Sequence, residues 1–400
     1  MPRRILIVGG GVGGTIVANM LARTLSPQEA TVTLIDSTGK HVYMPMWLYM
    51  PFHHIDGESD QVVRHERDLL NRHVHLVLGQ VTSIDTTNRE VHVQHSEGID
   101  DIRGTGGAVD ATYAYDSLVL ATGARLALSD LPGLEQEDGS WHHFYSTAGA
   151  QRLHQALETF DGGRIVIAVG GIPYRCPPAP LEFTFLLEEW LQKHHLRQRT
   201  EIEYLFPLPR VFPIESVAEV ATPLLDERGI KYTVFFNTES VDTKHNVISS
   251  MEGEERPYDL LVVIPPHRGA SVIETSGLGD EQGWLPADRH TLAVKGHEQV
   301  YALGDASDLP VSKSGSAAHF EAKVLAHRLI AEIRSEALTG QEGMYDGEVM
   351  CFLETGQNKA TQLVFNYENP PRPPRPSLYY HMEKQLFNRA YWYLVPQGLV

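Results

Sequence analysis

Glycines near the start of the chain have the spacing that binding of a dinucleotide phosphate requires. Gly9, Gly11 and Gly14 form a GxGxxG pattern between a strand-like apolar run and a helix-like run. The first permits a tight turn, the second lets a pyrophosphate approach the backbone, and the third lets helix and strand pack closely. The helix N-terminus favours an anion. Asp36 ends the next apolar run, where a carboxylate binds the adenosine ribose, so we predict a dinucleotide site.

Two further short motifs also follow apolar, strand-like runs. Thr122 and Gly123 lie in the sequence ATGA, and Gly304 and Asp305 lie in LGDA. Each motif alone is typical of an ordinary strand end. In this order, the three motifs resemble those of the two-dinucleotide-domain flavoproteins. The resemblance implies that FAD occupies the first site and that Asp305 holds its ribityl chain and phosphate.

A second unit of strand, turn and helix departs from the glycine pattern. Its turn, at 170–178, reads GGIPYRCPP. Pro173 and Tyr174 stand where glycine would admit a pyrophosphate, and Pro177 and Pro178 have no N–H to donate. The turn therefore predicts that no pyridine nucleotide binds here and that the electron donor is a different molecule.

Cys176 lies in this altered turn, and Cys351 is the only other cysteine of the 400 residues. Two cysteines exclude a disulfide-rich scaffold and a four-cysteine zinc site, and we expect no metal. The run RCPPAPLE at 175–182 closely resembles a signature of sulfide:quinone oxidoreductase and of the flavoprotein subunit of flavocytochrome c sulfide dehydrogenase. The runs IPPHRGA at 264–270 and ALGDASDLPVSKSG at 302–315 agree with the same family.

The resemblance implies that Cys176 and Cys351 form a redox pair beside the flavin. Hydrosulfide would attack a disulfide between them, which leaves a persulfide on one cysteine and a thiolate on the other. The thiolate would then pass two electrons to FAD, with sulfur zero or polysulfide as the product. Glu182, six residues after Cys176, is the expected general base.

A low thiolate pKa would need a nearby cation. Arg175, His143 and Lys313 are the candidates, and Lys313 matches a lysine-bearing loop near the flavin in the family.

The chain also departs from the family. Many sulfide:quinone oxidoreductases have a third cysteine before the second dinucleotide unit, and this chain has none there. The flavocytochrome subunit carries a cysteine that bonds to its flavin, but 43–47 contains no cysteine, so we expect noncovalent FAD.

Four functions remain open. The preferred one is sulfide oxidation with a membrane quinone as acceptor. The alternatives are a sulfide dehydrogenase flavoprotein that reduces a cytochrome c, a type II NADH:quinone oxidoreductase, and a flavin-bound sulfide sensor without catalysis.

The elements that position these residues predict an α/β fold with two Rossmann-like, three-layer dinucleotide-binding domains. We assign 1–125 and 290–340 to a discontinuous FAD-binding domain and 126–289 to the second domain. The remaining segment, 341–400, contains Cys351 and a C-terminal tail.

The tail is aromatic and locally basic. We predict a membrane-facing segment, because aromatic and basic side chains favour the bilayer interface. Phe387 and Tyr391, one helical turn apart, are the expected wall of a quinone pocket, with Trp392 beside them. Because the other motifs lie upstream, removal of the tail is expected to leave FAD binding intact.

Composition bounds the remaining possibilities. The formal net charge of −18 argues against nucleic-acid binding, which requires a basic surface. The uncharged run at 5–22 has the length of a signal or membrane segment, but five glycines divide it into a strand and a helix. We therefore expect a cytoplasmic protein that associates peripherally with the membrane, and a homo-oligomer remains open.

Overall fold

The fold is described from a computed structural model, which covers residues 1–95, 110–338 and 343–400. Within these residues the chain forms twenty strands and eight α-helices. The strands are β1 (Arg3–Val8), β2 (Ala30–Asp36), β3 (Lys40–Val42), β4 (Val63–His65), β5 (Val74–Asp85), β6 (Glu90–His95), β7 (Asp110–Ala114), β8 (Ser117–Leu120), β9 (Ala124–Leu126), β10 (Gly163–Val169), β11 (Thr200–Phe206), β12 (Lys231–Val234), β13 (Thr238–Asp242), β14 (Val247–Ser250), β15 (Glu255–Pro257), β16 (Leu260–Ile264), β17 (His267–Gly269), β18 (Val300–Ala302), β19 (Val349–Glu354) and β20 (Ala360–Phe365). The helices are α1 (Val12–Thr24), α2 (Glu66–Leu69), α3 (Thr147–Thr159), α4 (Ala179–Lys193), α5 (Glu215–Glu227), α6 (Ser271–Thr275), α7 (Gly315–Arg334) and α8 (Leu378–Leu394).

The first sheet has the strand order β18-β8-β1-β2-β5-β6-β7 among the described residues. Its first five strands pair in parallel, and β6 and β7 extend it antiparallel. The last four residues of strand β1 are apolar and buried, as expected for a central parallel strand. Helices α1 and α7 pack together beside this sheet. The predicted first βαβ unit is therefore present as β1, α1 and β2.

The second sheet has the order β12-β11-β10-β16, and all of its strands run parallel. Strand β10, helix α4 and strand β11 repeat the layout of β1, α1 and β2. In each sheet the first strand of the unit, β1 or β10, has the next strand of that unit on one side and a later strand on the other. The order of the strands therefore reverses at β1 and at β10. Such a switch point opens a crevice at the carboxyl ends of the strands, where ligands bind in α/β folds.

The two sheets have separate hydrophobic cores. The chain passes from the first sheet to the second through β9 and returns through β17, and these two short strands pair antiparallel. The predicted α/β class with two parallel-sheet, Rossmann-like units is confirmed. The proposed boundary at 340–341 lies outside the described residues, and the other domain boundaries remain predictions.

The chain after α7 forms a hairpin and a long helix. Strands β19 and β20 pair antiparallel, and the hairpin contacts α4, α7 and α8. In the described ranges, no helix combines the length and the apolar character needed to cross a bilayer.

Candidate active site

The three sequence motifs meet at one edge of the first sheet. Strands β1, β8 and β18 are neighbours in parallel pairing, and each motif follows the carboxyl end of one of them. Gly9 follows β1, Thr122 follows β8, and Gly304 follows β18. Because β1 and β8 flank the switch point, this edge is where the topology opens a ligand crevice.

The space around the glycines fits a pyrophosphate. A Cβ on Gly14 would lie 1.9 Å from the carbonyl oxygen of Gly9, and one on Gly9 would lie 2.3 Å from that of Ala121. These two glycines are therefore required by the fold itself. A Cβ on Gly11, at the N-cap of α1, would meet nothing within 4 Å. The space that Gly11 leaves open is where a phosphate can approach the helix N-terminus.

Unpartnered polar atoms point to the same cofactor site. The Oδ1 atom of Asp305 and the hydroxyl of Thr122 are buried and have no hydrogen-bond partner in the described part of the chain. Buried polar atoms are nearly always paired, so these two call for a ligand with hydroxyl donors and acceptors. Burial raises the pKa of Asp305, and the charges of Arg175 and Lys313 oppose this shift. The residues present therefore fit FAD.

Asp36 shapes the turn that would receive the adenosine. Its Oδ2 atom accepts a 2.9 Å hydrogen bond from the Gly10 N–H, and its Oδ1 accepts bonds from the N–H groups of Thr38 and Gly39. Glu66 lies alongside, because its Cδ atom would be 3.1 Å from a Cβ on Gly10. We did not predict this second carboxylate, whose position depends on tertiary packing.

Cys176 follows the carboxyl end of β10, close to the switch point of the second sheet. It has a φ of 54°, a conformation uncommon for residues other than glycine. Its N–H donates a 2.6 Å hydrogen bond to the Lys313 carbonyl, and its carbonyl accepts one from Ala179 at the start of α4. The turn that carries the sulfur is thus held to the segment after Asp305.

Cys351 lies on β19, and the fold brings it to the same site as Cys176. Both are free thiols, both are partly exposed, and both pack against the core of the second sheet. Burial raises the pKa of Cys176, and the charges of Glu182 and Cys351 add to the shift. Burial likewise raises the pKa of Cys351 to about 12. The expected lowering of a thiolate pKa is therefore absent in this state.

Glu182 lies beside the cysteines in the first turn of α4, as the sequence predicts. Its Oε1 atom accepts hydrogen bonds from the Glu354 N–H at 2.8 Å and from the Lys384 Nζ at 2.5 Å. Burial raises the pKa of this carboxyl group, and Lys384 opposes the shift. The positive charge of Lys384 also acts to lower the pKa of both thiols, against the effect of burial.

Lys384 was not predicted as a site residue. It is a basic residue of the tail, yet it is only 7% exposed and belongs to the cysteine site. Burial lowers its pKa, but Glu182, Tyr49 and Glu354 outweigh this effect and raise it well above the usual value. It therefore stays charged. The sequence of the tail does not indicate that Lys384 is buried, because its burial depends on the packing of α8 against the hairpin of β19 and β20.

Of the three predicted cations, Arg175 and Lys313 lie near the cofactor site, where burial lowers the pKa of both and the carboxylate of Asp305 opposes the shift. Arg175 donates to the Tyr145 carbonyl at 3.1 Å, and its charge acts on both Cys176 and Asp305. Lys313 is buried and donates to the carbonyls of Ser307 and Asp305, at 2.7 and 3.2 Å.

His143 does not supply a cation. It is 1% exposed, and burial together with the charge of Arg175 lowers its pKa to about 4. Its Nδ1 atom accepts a hydrogen bond from the Tyr145 N–H, while Nε2 lies 3.3 Å from Glu137. The ring is therefore neutral at pH 7 and orients the loop before α3.

Two of the three aromatic residues assigned to a membrane-facing wall are core residues. Tyr391 and Trp392 are buried against the core of the first sheet. The Tyr391 hydroxyl lies 2.8 Å from His41 Nε2, and His41 Nδ1 lies 2.9 Å from Glu66. One face of α8 therefore packs on the FAD-binding unit, which corrects the expectation that these side chains face a membrane.

The opposite face of α8 is exposed and mostly apolar, with the exposed Arg389 among its apolar side chains. Its exposed large hydrophobic side chains are Leu378, Tyr379, Met382, Leu386 and Tyr393. Phe387 lies between the two faces, partly buried against the first core.

Comparison with known proteins places the chain in a family. The family model described as "Pyridine nucleotide-disulphide oxidoreductase" matches residues 3–322. The mitochondrial sulfide:quinone oxidoreductase of Dictyostelium discoideum is 27% identical and aligns with 97% of this chain and 85% of its own. Its mouse counterpart is 23% identical over 98% of this chain and 86% of its own.

Among solved structures, the sulfide:quinone oxidoreductase of Aquifex aeolicus superimposes with a TM-score of 0.81 at 19% identity, over 99% of this chain and 92% of the other. This similarity shows a shared fold. Since the family model spans most of the chain, the protein belongs to the pyridine nucleotide-disulphide oxidoreductase family.

Proposed function

We propose that this chain is a sulfide:quinone oxidoreductase that uses noncovalently bound FAD. The observation that carries the proposal is the meeting of Cys176 and Cys351, 175 residues apart in sequence, beside the buried Glu182. Two curated relatives carry this activity in their names and align over nearly the whole chain. Family membership and the unpartnered atoms of Asp305 and Thr122 support FAD as the cofactor.

The cysteine pair performs the sulfur chemistry in this proposal. In the oxidised enzyme the two sulfur atoms are joined, and HS⁻ attacks one of them. A sulfur–sulfur bond forms to the incoming atom and the bond between the cysteines breaks, which leaves a persulfide on one and a thiolate on the other. FAD bound at this site would supply a two-electron acceptor. As the electron pair leaves the thiolate, the outer persulfide sulfur loses its proton and bonds to that cysteine, so that a chain of sulfur atoms again joins the two cysteines.

The surroundings of the cysteines suit this step. Burial raises the pKa of both thiols, because a thiolate there is poorly solvated. A thiolate released at this place is therefore high in free energy, which favours transfer of its electron pair to an acceptor. Lys384 stays charged and stabilises the negative charge transiently. Glu182 is positioned to take a proton from the persulfide.

The turn after β10 argues against a pyridine nucleotide as the donor. Helix α4 has Pro178 at its N-cap, without a side-chain cap, and Pro180 in its first turn. With Pro177 before them, three positions lack the N–H groups that bind phosphate at other helix N-termini. This supports sulfide rather than NADH as the source of electrons.

The exposed face of α8 supports a membrane quinone as acceptor. Leu378, Met382 and Leu386 recur at intervals of four and form one apolar stripe. An apolar stripe on an otherwise acidic protein suits shallow insertion into a bilayer from the cytoplasmic side. We propose Phe387, between this stripe and the core, as part of the quinone site.

Steady-state turnover with different acceptors tests the proposal. Purified protein is given sulfide anaerobically with a short-chain quinone, with cytochrome c, or with no acceptor. We expect sulfide-dependent reduction of the quinone alone. Reduction of cytochrome c without quinone would favour the dehydrogenase alternative, and bleaching without turnover on any acceptor would favour a sensor.

A further inference from the structure

A row of buried charged groups leads from the cysteine site to the surface. Glu182, Glu354 and Lys384 are each less than a tenth exposed. His381, on the same helix as Lys384, has a side chain that is 22% exposed. The cluster thus has one end at the cysteines and one end at solvent.

The members of this row lie next to one another. Lys384 Nζ lies 2.5 Å from Glu182 and 5.6 Å from the centre of the Tyr49 ring, and its charge opposes the raised pKa of the Tyr49 hydroxyl. The Tyr49 hydroxyl donates to Glu354 Oε1 at 3.3 Å. The Nδ1 atom of His381 lies 3.1 Å from both carboxylate oxygens of Glu354.

The charge of the cluster requires one additional proton. Two carboxylates and one ammonium leave a net charge of −1 in a region that excludes water. An uncompensated buried charge costs several kcal/mol, so a proton held within the cluster is favoured. Glu182 lies at the cysteine end of the row and His381 at the solvent end, so a proton taken up at one end can leave at the other.

We propose that Glu354 and His381 complete a proton relay that connects Glu182 with solvent. The relay serves the proposed sulfide oxidation and deepens it by assigning the route of the proton. His381 is the port, and Tyr49 and Lys384 are the links between the two carboxylates.

The proton balance is simple. Attack of HS⁻ on the disulfide gives Cys–S–SH and Cys–S⁻, and the electron pair leaves from the thiolate. Release of the persulfide proton to Glu182 lets the outer sulfur bond to the second cysteine as that electron pair leaves, which gives Cys–S–S–S–Cys. Each member of the row then passes on a proton, so that one proton leaves at His381 for each HS⁻ oxidised. FAD reduced by two electrons would hold one proton taken from solvent, so the pH of the solution does not change in this half-reaction.

An anaerobic single-turnover measurement tests the relay. Holoenzyme is mixed with sulfide without quinone, and the flavin absorbance is followed. In His381→Gln we expect bleaching to slow at least about tenfold, equivalent to about 1.4 kcal/mol. Added imidazole should restore the rate, because it can replace the missing ring at an exposed site.

Two other variants separate transfer from structure. His245→Gln changes an exposed histidine that is likewise paired with a carboxylate, Asp242, and should leave the bleaching rate unchanged. Flavin bleaching in Glu354→Gln should be slow, and imidazole should not restore it, since the missing carboxylate lies inside the row where imidazole cannot replace it. FAD content and thermal unfolding of each variant confirm that it is folded.

The outcomes are distinct. Bleaching of His381→Gln at the wild-type rate, or slow bleaching that imidazole does not restore, would overturn the relay while the proposed function stands. If the wild type is not bleached by sulfide, the proposed function itself fails.

Discussion

At the scale of single residues, the cysteine site depends on groups whose sequence signals differ greatly. Cys176 is recognisable because the proline-rich run around it is distinctive. Lys384 carries no such signal, because its burial depends on where α8 packs. Its contact with Glu182 joins residues 202 positions apart, a separation that no local pattern encodes.

Replacing either cysteine tests the proposed electron path. Cys176→Ser and Cys351→Ser should each retain FAD, because neither side chain lies among the cofactor-binding motifs. Sulfide-dependent flavin reduction should fall by far more than tenfold, since serine cannot form the disulfide. Stopped-flow bleaching measures this. If either variant keeps more than about a tenth of the rate, roughly 1.4 kcal/mol of barrier, that cysteine lies outside the path.

The two glycines at α1 should respond differently to alanine. A Cβ at Gly11 meets nothing within 4 Å, so Gly11→Ala should fold normally but bind FAD more weakly. A Cβ at Gly14 would overlap the Gly9 carbonyl, so Gly14→Ala should lower the free energy of unfolding of the apoprotein as well. Thermal unfolding of apoprotein and FAD titration distinguish the effects. Equal FAD affinity in Gly11→Ala and wild type would contradict the phosphate site.

At the scale of elements, helix α8 has two faces with different partners. The sequence shows that the tail is aromatic, but aromatic residues stand on both faces. Periodicity alone could not tell Tyr391, which contacts His41, from Tyr393, which is exposed. The prediction of a helix-like tail segment was therefore easier than the assignment of its faces. The expectation that the tail is dispensable for FAD binding does not fit this packing.

The buried face should contribute to stability and to FAD binding. Tyr391→Phe removes the hydroxyl that pairs with His41 and leaves a buried ring nitrogen unsatisfied, at a cost of about 1–3 kcal/mol. We expect a lower melting temperature and weaker FAD retention. Tyr393→Phe, on the exposed face, is the control and should change neither. Equal melting temperatures for the two variants would argue against the packing.

The exposed face should contribute to membrane binding alone. Met382→Ser with Leu386→Ser removes two apolar side chains from the outer stripe without touching the core. Binding to liposomes should weaken, while FAD content and sulfide bleaching stay at wild-type levels. Co-sedimentation measures the first, and absorbance the others. Undiminished liposome binding would count against α8 as the docking element.

At the scale of the whole molecule, two parallel sheets place their switch points around one cofactor site. The repeat of strand, turn and helix was visible in the sequence, and so was the loss of glycine from the second turn. What the sequence could not provide is the arrangement that carries Cys351, on a hairpin after both units, to Cys176. Such long-range contacts depend on how α4, α7 and α8 pack together.

The altered second turn predicts selectivity for the donor. NADH and NADPH should not reduce the flavin within the time of a sulfide turnover, because three prolines remove N–H groups where phosphate would bind. Anaerobic mixing with either nucleotide, beside a sulfide control, checks this. Rapid bleaching by NADH would move the function to the type II NADH:quinone class.

The central claim is that sulfide reduces the flavin and that a quinone reoxidises it. Its most direct test is one anaerobic experiment, in which the protein is mixed first with sulfide and then with a short-chain quinone while flavin absorbance is recorded. We predict bleaching on sulfide and full recovery of the oxidised spectrum on quinone. A flavin that stays oxidised with sulfide, or stays bleached after quinone, would contradict the account.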